Sequence, residues 1–437
     1  MQGEVHQLTT RVETLESQLA DANARADAAE QRAQSAESAA RAAQASATQL
    51  AAAIPPMGST GAAAEPDIKV SWKGAPEIEG KGGWTFKPRG RIQYDAGFVS
   101  APSGTGRPDG FGNEARRARL GVEGDMPGGF GYKFEFDFAP GEDTLTDAFL
   151  SYKDGPVTVT VGQQNNFQSL EELSSSRFIS MLDRAAFTDA FNFERRVGAS
   201  VQYGKGPVLV QGGLFTDNIN SLSNKNWSAD GRVVFMPKAG DTLFHLGASV
   251  HYAGLQDGST VRYRQRPLVH FTSERFINTG TLDADSEFGL GLEAAAIAGR
   301  FHTAGEAYWQ HVSRPGALSD PTFFGGYAEV GVFLTDDTRG YKKGQFDRVK
   351  PKHPVGEGGM GAVQLNLRYD YLDLNDKGIV GGTQNGLMGS IIWTPTDYTR
   401  FMVNYAHLIY DNATYALPNG DRSYAVDAFG VRAQVDF

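Results

Sequence analysis

The chain has no cysteine in 437 residues. That excludes disulfide staples and thiolate metal sites, and it fits an envelope protein built without disulfides. No stretch approaches the 18 or so apolar residues of a membrane-spanning helix. If the chain crosses a membrane, it does so with strands closed into a barrel. The N-terminus lacks a positively charged region followed by an apolar core, and the numbering is read as starting after a removed signal peptide. A Gly-x-Ser-x-Gly elbow and a His-Glu-x-x-His zinc motif are both missing. His245 and His251 share one strand face but stand six residues apart, which suits a polar lining better than a metal. The reading is therefore not an enzyme, with no cofactor, no metal site and no catalytic residue. The net charge of −10 argues against a nucleic-acid partner.

The chain has 53 glycines, 27 phenylalanines and 16 tyrosines, an excess that repeated hairpins with aromatic girdles require. The segment from Asp427 to Phe437 is the most informative. Phe429, Val431, Ala433, Val435 and Phe437 alternate with Gly430, Arg432, Gln434 and Asp436. A strand sends alternate side chains to opposite faces. An apolar outer row, a polar inner row and a closing aromatic describe the last strand of an outer-membrane barrel.

The same two-residue rhythm runs back to Trp84, and sixteen strands can be laid down by parity between 84 and 437. Val363, Leu365, Leu367, Tyr369 and Tyr371 alternate with Gln364, Asn366, Arg368 and Asp370, for example. Short turns alternate with long loops, as in transmembrane barrels. A soluble sandwich or propeller would show the same parity, with its apolar rows as core. The expected fold is all-β: a 16-stranded antiparallel transmembrane β-barrel over residues 83–437, with both termini on the short-turn side.

Residues 1–50 are a different object. Val5, Leu8, Val12, Leu15 and Leu19, continued by alanines from Ala22 to Ala47 and by Leu50, step by three and four in an unbroken heptad seam. The segment predicts an α-helical coiled coil, about 75 Å long at roughly 1.5 Å per residue. Its site would be the periplasm, with a cell-wall or periplasmic partner. Residues 51–82, opened by Pro55-Pro56 and rich in Gly and Ala, read as a linker.

With apolar rows toward outer-membrane lipid, the other rows line a pore. Arg89, Arg91, Arg117, Arg119, Arg196, Arg232, Arg300, Arg368, Arg400 and Arg432 have inward parity. Arginine suits an oxyanion path, since its planar fork keeps its charge and donates two parallel hydrogen bonds. Glu123, Glu135, Asp137, Glu293, Glu306, Glu329 and Asp370 share the inward parity. A basic wall facing an acidic one would make a general pore, and both readings stand at this point. Residues 164–194 are too long for a hairpin and too apolar for water. Folded inward, they would bring Arg177 and Arg184 to the narrowest point, with Glu171 and Glu172 as anchors to wall arginines. The 253–285 loop carries Arg262, Arg264 and Arg266 at a spacing of two. Residues 335–360 place a basic segment, with Lys342 and Lys343, on the short-turn side.

Several runs together resemble the phosphate-selective porin O and P family. They are Asn113 to Gly124 with its Arg-Arg-x-Arg, the Ser174-Ser175-Ser176-Arg177 to Asp183-Arg184 loop, Phe333-Leu334-Thr335, Phe346 to Pro351, and the closing strand. The resemblance covers about residues 83–437. It implies a homotrimer with three separate pores, three inward-folded segments at the constriction, and inorganic anions such as phosphate as permeant solutes. Carried over, the ladder would use Arg91, Arg117, Arg119 and Arg196, with Arg262, Arg264 and Arg266 at the outer entrance. The third-loop basics here are arginines, without the lysines that family constrictions also use. Two functions follow: an anion-preferring diffusion channel, and an envelope tether acting through the coiled coil.

Overall fold

The computed structural model describes residues 68–437, apart from 73, 108–109, 142–144 and 223–225. The coiled-coil expectation for residues 1–50 lies outside the described residues. Sixteen antiparallel strands close into a barrel. They are β1 (Trp84–Ser100), β2 (Gly110–Met126), β3 (Phe130–Asp137), β4 (Leu145–Asp154), β5 (Val157–Asn165), β6 (Arg195–Lys205), β7 (Val208–Phe215) and β8 (Trp227–Phe235). The wall continues with β9 (Thr242–Gly254), β10 (Ser286–Ala298), β11 (Phe301–Ser313), β12 (Thr322–Phe333), β13 (Ala362–Asp376), β14 (Ile379–Thr396), β15 (Thr399–Asp411) and β16 (Tyr424–Asp436). Closure is made by β16 against β1, from Asp427 opposite Ser100 to Asp436 opposite Arg91. Gly90 and Phe437 exchange both main-chain hydrogen bonds beyond it, at 3.1 and 3.0 Å.

The alternation sorts side chains as the sequence reads. On β1, Gln93 and Asp95 are buried inside while Ile92, Tyr94 and Phe98 are exposed outside. Turns such as 155–156, 206–207 and 397–398 close one rim, together with the 334–361 connection, and long loops such as 166–194 and 255–285 lie at the other. Within the stretch read as a linker, Ile68–Trp72 and Pro76–Gly80 form a hairpin that pairs onto the start of β1. Ile68, Val70 and Trp72 carry the same period-two signal, but five residues of it are easily taken for part of a Pro/Gly spacer.

Three connections fold into the lumen. Residues 166–194 bury Leu170, Ile179, Met181 and Phe187, with short helices α1 (Leu170–Leu173) and α2 (Ala186–Ala190). Residues 255–285 bury Tyr263, Leu268 and Phe276. Residues 334–361 enter from the short-turn side, where the hairpin Gly340–Lys342 with Gln345–Asp347 buries Phe346. An aromatic cluster joins the first two to the wall. The Tyr308 ring lies 5.8 Å from Phe187 and 4.8 Å from Phe193, and its hydroxyl accepts from Gln168 at 3.0 Å. Gly289 makes room for it, since a Cβ there would lie 1.9 Å from the Tyr308 hydroxyl. Overfilling a packed site costs about 1–3 kcal/mol. Gly289→Val is therefore expected to lower the temperature at which the folded barrel unfolds on a semi-native gel, leaving strand content at 25 °C intact. An unchanged unfolding temperature would contradict Tyr308 as an anchor of the inward loop.

Candidate functional site

The site begins with a defect in β2. Gln93 of β1 faces Arg117, while the next residue, Tyr94, faces Ala115. Arg116 is thus the extra residue of a β-bulge, which re-aims a side chain. Arg116 and Arg117 both turn inward, 9% and 6% exposed. Strict parity sends Arg116 to lipid, so sequence reasoning missed it.

A passage runs between the wall from β1 to β6 and the inward loop 166–194. On the long-loop side, a cavity of about 210 Å³ is lined by Arg116, Arg117, Arg119, Arg184 and Arg195 with Glu172, Asp183, Asp189 and Glu194. On the short-turn side, a cavity of about 390 Å³ is lined by Arg89, Arg91, Arg117, Arg119, Lys133, Arg177, Arg184 and Arg195, against only Glu135, Asp147 and Glu172. Arg117, Arg119, Glu172, Arg184 and Arg195 border both cavities and form the rim of an eyelet.

Most rim cations are compensated. Arg119 donates to Asp137 at 2.6 Å and to Glu135 at 3.1 Å. Arg195 and Lys133 share Asp147, at 2.7 and 2.5 Å. Arg184 lies 3.2 Å from Glu172 and donates to the carbonyls of Glu171, Glu172 and Ser174. Arg89 holds Glu123 at 2.5 Å. Arg117 differs. Its Nη1 donates to Gln93 at 3.1 Å, its Nε is buried without a partner, and among the described residues no carboxylate is paired with it. Two loop carboxyls follow their surroundings. Burial pushes Glu172 above its ordinary range, against the pull of Arg184 and Arg195. Burial also works on Asp183, but Arg116 and His270 hold it down at about 2.

The opposite wall spends its acids on mooring. Glu306 accepts the main-chain N–H groups of Leu170 and Glu171 at 2.8 and 2.7 Å, at the start of α1. Asp370 accepts that of Ala186 at 3.1 Å, at the start of α2. Arg368 joins Glu171 at 2.9 Å to Glu329 at 2.7 Å. Arg232 forks onto Glu293 at 2.7 and 2.6 Å, and Arg432 onto Asp95 at 2.6 Å. Arg400 donates to the carbonyls of Arg177 and Ile179 at 2.7 and 2.6 Å. Parity places these arginines inside correctly; their partners show them holding structure together. Arg300 sits exposed in the β10–β11 turn.

Of the residues singled out from sequence, Arg89, Arg91, Arg117, Arg119, Arg177 and Arg184 come together along the passage. Arg196 does not join them. It stands 3.7 Å from Glu194 and from Asp217, in a separate cavity with His251, Arg262 and Glu287. Arg262 and Arg264 are exposed on one side of the 255–285 loop, while Arg266 lies 3.6 Å from Asp189. Lys342 and Lys343 are exposed at the hairpin tip on the short-turn side. Glu171 anchors to a wall arginine as expected, whereas Glu172 pairs within its own loop. Arg195 and Lys133 were missed. The inward parity that Lys133 shares with Glu135 on β3 is the sequence signal that places it here.

Residues 86–437 match the family model described as "Phosphate-selective porin O and P". A Caulobacter vibrioides protein described as uncharacterized is 47% identical, over 99% of this chain and 90% of its own length. The anion-selective porin of Comamonas acidovorans aligns with a TM-score of 0.52 at 13% identity, over 81% of this chain and all of that one. The outer membrane channel DcaP of Acinetobacter baumannii gives 0.50 at 14%, over 82% and 99%. The trimer form of Vibrio cholerae OmpT gives 0.51 at 12%, over 81% and 100%. At these identities the likeness to the solved structures is one of fold.

Proposed function

Because the chain belongs to the phosphate-selective porin O and P family, and is an outer-membrane porin by family and fold, we propose that its eyelet passes anions in preference to cations, with phosphate and related oxyanions among them. The observation that carries this reading is the excess of guanidinium groups over carboxylates along the passage, with Arg117 in no direct ion pair at the rim among the described residues. The acids of the opposing wall are already engaged: Glu306 and Asp370 hold the inward loop, and Glu329 and Glu293 are paired with the wall arginines Arg368 and Arg232. Each arginine station replaces part of the hydration of a passing anion and holds it loosely enough to release it to the next. We further propose assembly of three copies with separate pores, in line with the family and with the trimeric form of the Vibrio cholerae protein.

The test is reversal potential in a planar bilayer under a KCl gradient, followed by titration of phosphate against the chloride current. A strong anion preference with phosphate block supports binding stations. Weak selectivity without block would mean a general pore. The pH dependence has a stated sign. Glu172 gains its negative charge as pH rises through its raised range, adding an anion to the rim. Anion preference is therefore expected to be greatest at acidic pH and to fall as pH rises, and Glu172→Gln is expected to flatten the profile. A profile of opposite slope would contradict the placement of Glu172 at the rim.

A second role rests on the N-terminal segment. The Caulobacter vibrioides relative matches over 99% of this chain, so the match runs through most of residues 1–50. We propose that this segment is a periplasmic coiled coil tethering the barrel to an envelope partner. Deleting residues 1–60 is expected to leave channel conductance unchanged while weakening the envelope; an unaffected envelope would remove the tether role.

A further inference from the structure

The hairpin that precedes the wall has two unlike faces. Its strands, Ile68–Trp72 and Pro76–Gly80, pair with each other and then with the start of β1, so that Val70 lies beside Ile78 and Ile78 beside Phe86. Alternation puts Ile68, Val70, Trp72, Ile78, Trp84 and Phe86 on one face. Ile68, Val70 and Trp72 are 58%, 61% and 74% exposed. The other face carries Lys69, 3.8 Å from Glu79, and Lys87, 3.7 Å from Glu77. Phe86 shares the parity of Ile92 and Tyr94, so the apolar face is the outward row of β1 carried on beyond the barrel.

Strand pairing fixes where this face stands. The last residue, Phe437, bonds to Gly90, whereas the hairpin pairs with Trp84 to Phe86, nearer the start of β1. It therefore continues the sheet past the short-turn rim. Its turn is seated there: Gly74 has a φ of +80°, and a Cβ on it would lie 2.4 Å from Tyr398 Cε1 in the β14–β15 turn. Ala75 beside it is buried. The apolar face is thus held in one place, and a contiguous apolar face left exposed marks a contact site. The hairpin lies before the residues matched to the family, 86–437.

We propose that the hairpin is an interfacial anchor, with its apolar face set into the periplasmic leaflet of the outer membrane and its charged face toward water. Continuity with the lipid-facing row of β1 argues for lipid as the occupant. The side chains suit that depth. Tryptophan belongs at the boundary between acyl chains and headgroups, where its apolar ring and its N–H both find partners, and the face carries Trp72 and Trp84. An apolar face backed by a charged one is also the pattern of helices that lie in the interface. The anchor sets the point at which residues 1–67 leave the barrel, at the membrane surface.

The inference rests on the outer-membrane placement of the barrel and not on anion preference. The chain contains no cysteine, so Val70→Cys and Lys69→Cys each accept a single environment-sensitive fluorophore on the full chain. Each labelled protein is placed in phosphatidylethanolamine–phosphatidylglycerol vesicles. Emission is quenched either by lipid carrying a nitroxide near its headgroup or by iodide in the water on both sides. The expected result is that the label at Val70 loses most of its emission to the nitroxide lipid and little to iodide, with the reverse at Lys69. Iodide quenching as strong at Val70 as at Lys69 would put the hairpin in water and overturn the proposal. Shielding of Val70 from both quenchers would mean that protein, a second copy or residues 1–67, covers the face, which overturns it as well. Ile68→Cys reads the same face independently of any fault in folding of Val70→Cys, and a label there that prefers iodide also overturns the anchor.

Discussion

Replacing Arg117 by alanine is expected to lower the anion-to-cation permeability ratio about fivefold to tenfold while leaving the barrel folded. At an effective dielectric of roughly 40 and a distance of about 6 Å, one charge is worth about 1.4 kcal/mol, or about tenfold; salt screening takes part of this away. Arg117 is the cleanest place to read that effect, because it holds no carboxylate and its removal leaves only Gln93 short of a donor. Arg119→Ala is a contrasting case. It strips Glu135 and Asp137 of their partner, so lost selectivity comes with lost stability. Reversal potentials of the two variants, read beside their thermal unfolding, separate the roles. Unchanged selectivity in Arg117→Ala would remove it as a station.

Arg368→Met is expected to have the larger structural effect. This guanidinium is 1% exposed, lies 4.3 Å over the Tyr327 ring, and links the loop carboxylate of Glu171 to the wall carboxylate of Glu329. Removing one partner of a buried ion pair costs about 3–5 kcal/mol, because the remaining charge is stranded. The loop 166–194 should lose one of its moorings. Single-channel conductance is then expected to rise and become noisier, anion preference to fall, and the unfolding temperature to drop. Restoring neutrality with Glu171→Gln and Glu329→Gln in the same chain should recover part of the stability. Conductance and stability both unchanged in Arg368→Met would mean that the loop is held without this bridge.

The barrel itself was legible because its code is simple. A period of two, punctuated by Gly and Pro turns, marks each strand and its lipid face, and the even count places the start of β1 and the end of β16 at one rim. The inward loop was legible from its own apolarity, since Leu170, Ile179 and Met181 had no business in water. What parity does not carry is register. Whether Arg368 or Arg117 is compensated depends on which carboxylate the neighbouring strand brings alongside, and that is fixed only when strands pair. The bulge at Arg116 was hidden for the same reason: it exists only as a mismatch between β1 and β2. Arg196 shows the converse. It sits on an inward row, yet the end of the loop separates it from the eyelet and gives it Glu194 and Asp217 instead.

The mooring of the inward loop has a consequence for how such a channel can change. Glu306 and Asp370 grip main-chain N–H groups of Leu170, Glu171 and Ala186, and Arg400 and Ser390 grip main-chain carbonyls of Arg177, Ile179 and Ser180. Much of the socket therefore recognises a backbone path and is indifferent to the side chains that hang from it. The loop behaves as a replaceable cartridge: a rim side chain such as that of Glu172 can be exchanged while these holding contacts stay in place. A lineage, or an engineer, can retune what passes through by editing a few letters of the cartridge and leaving the housing untouched.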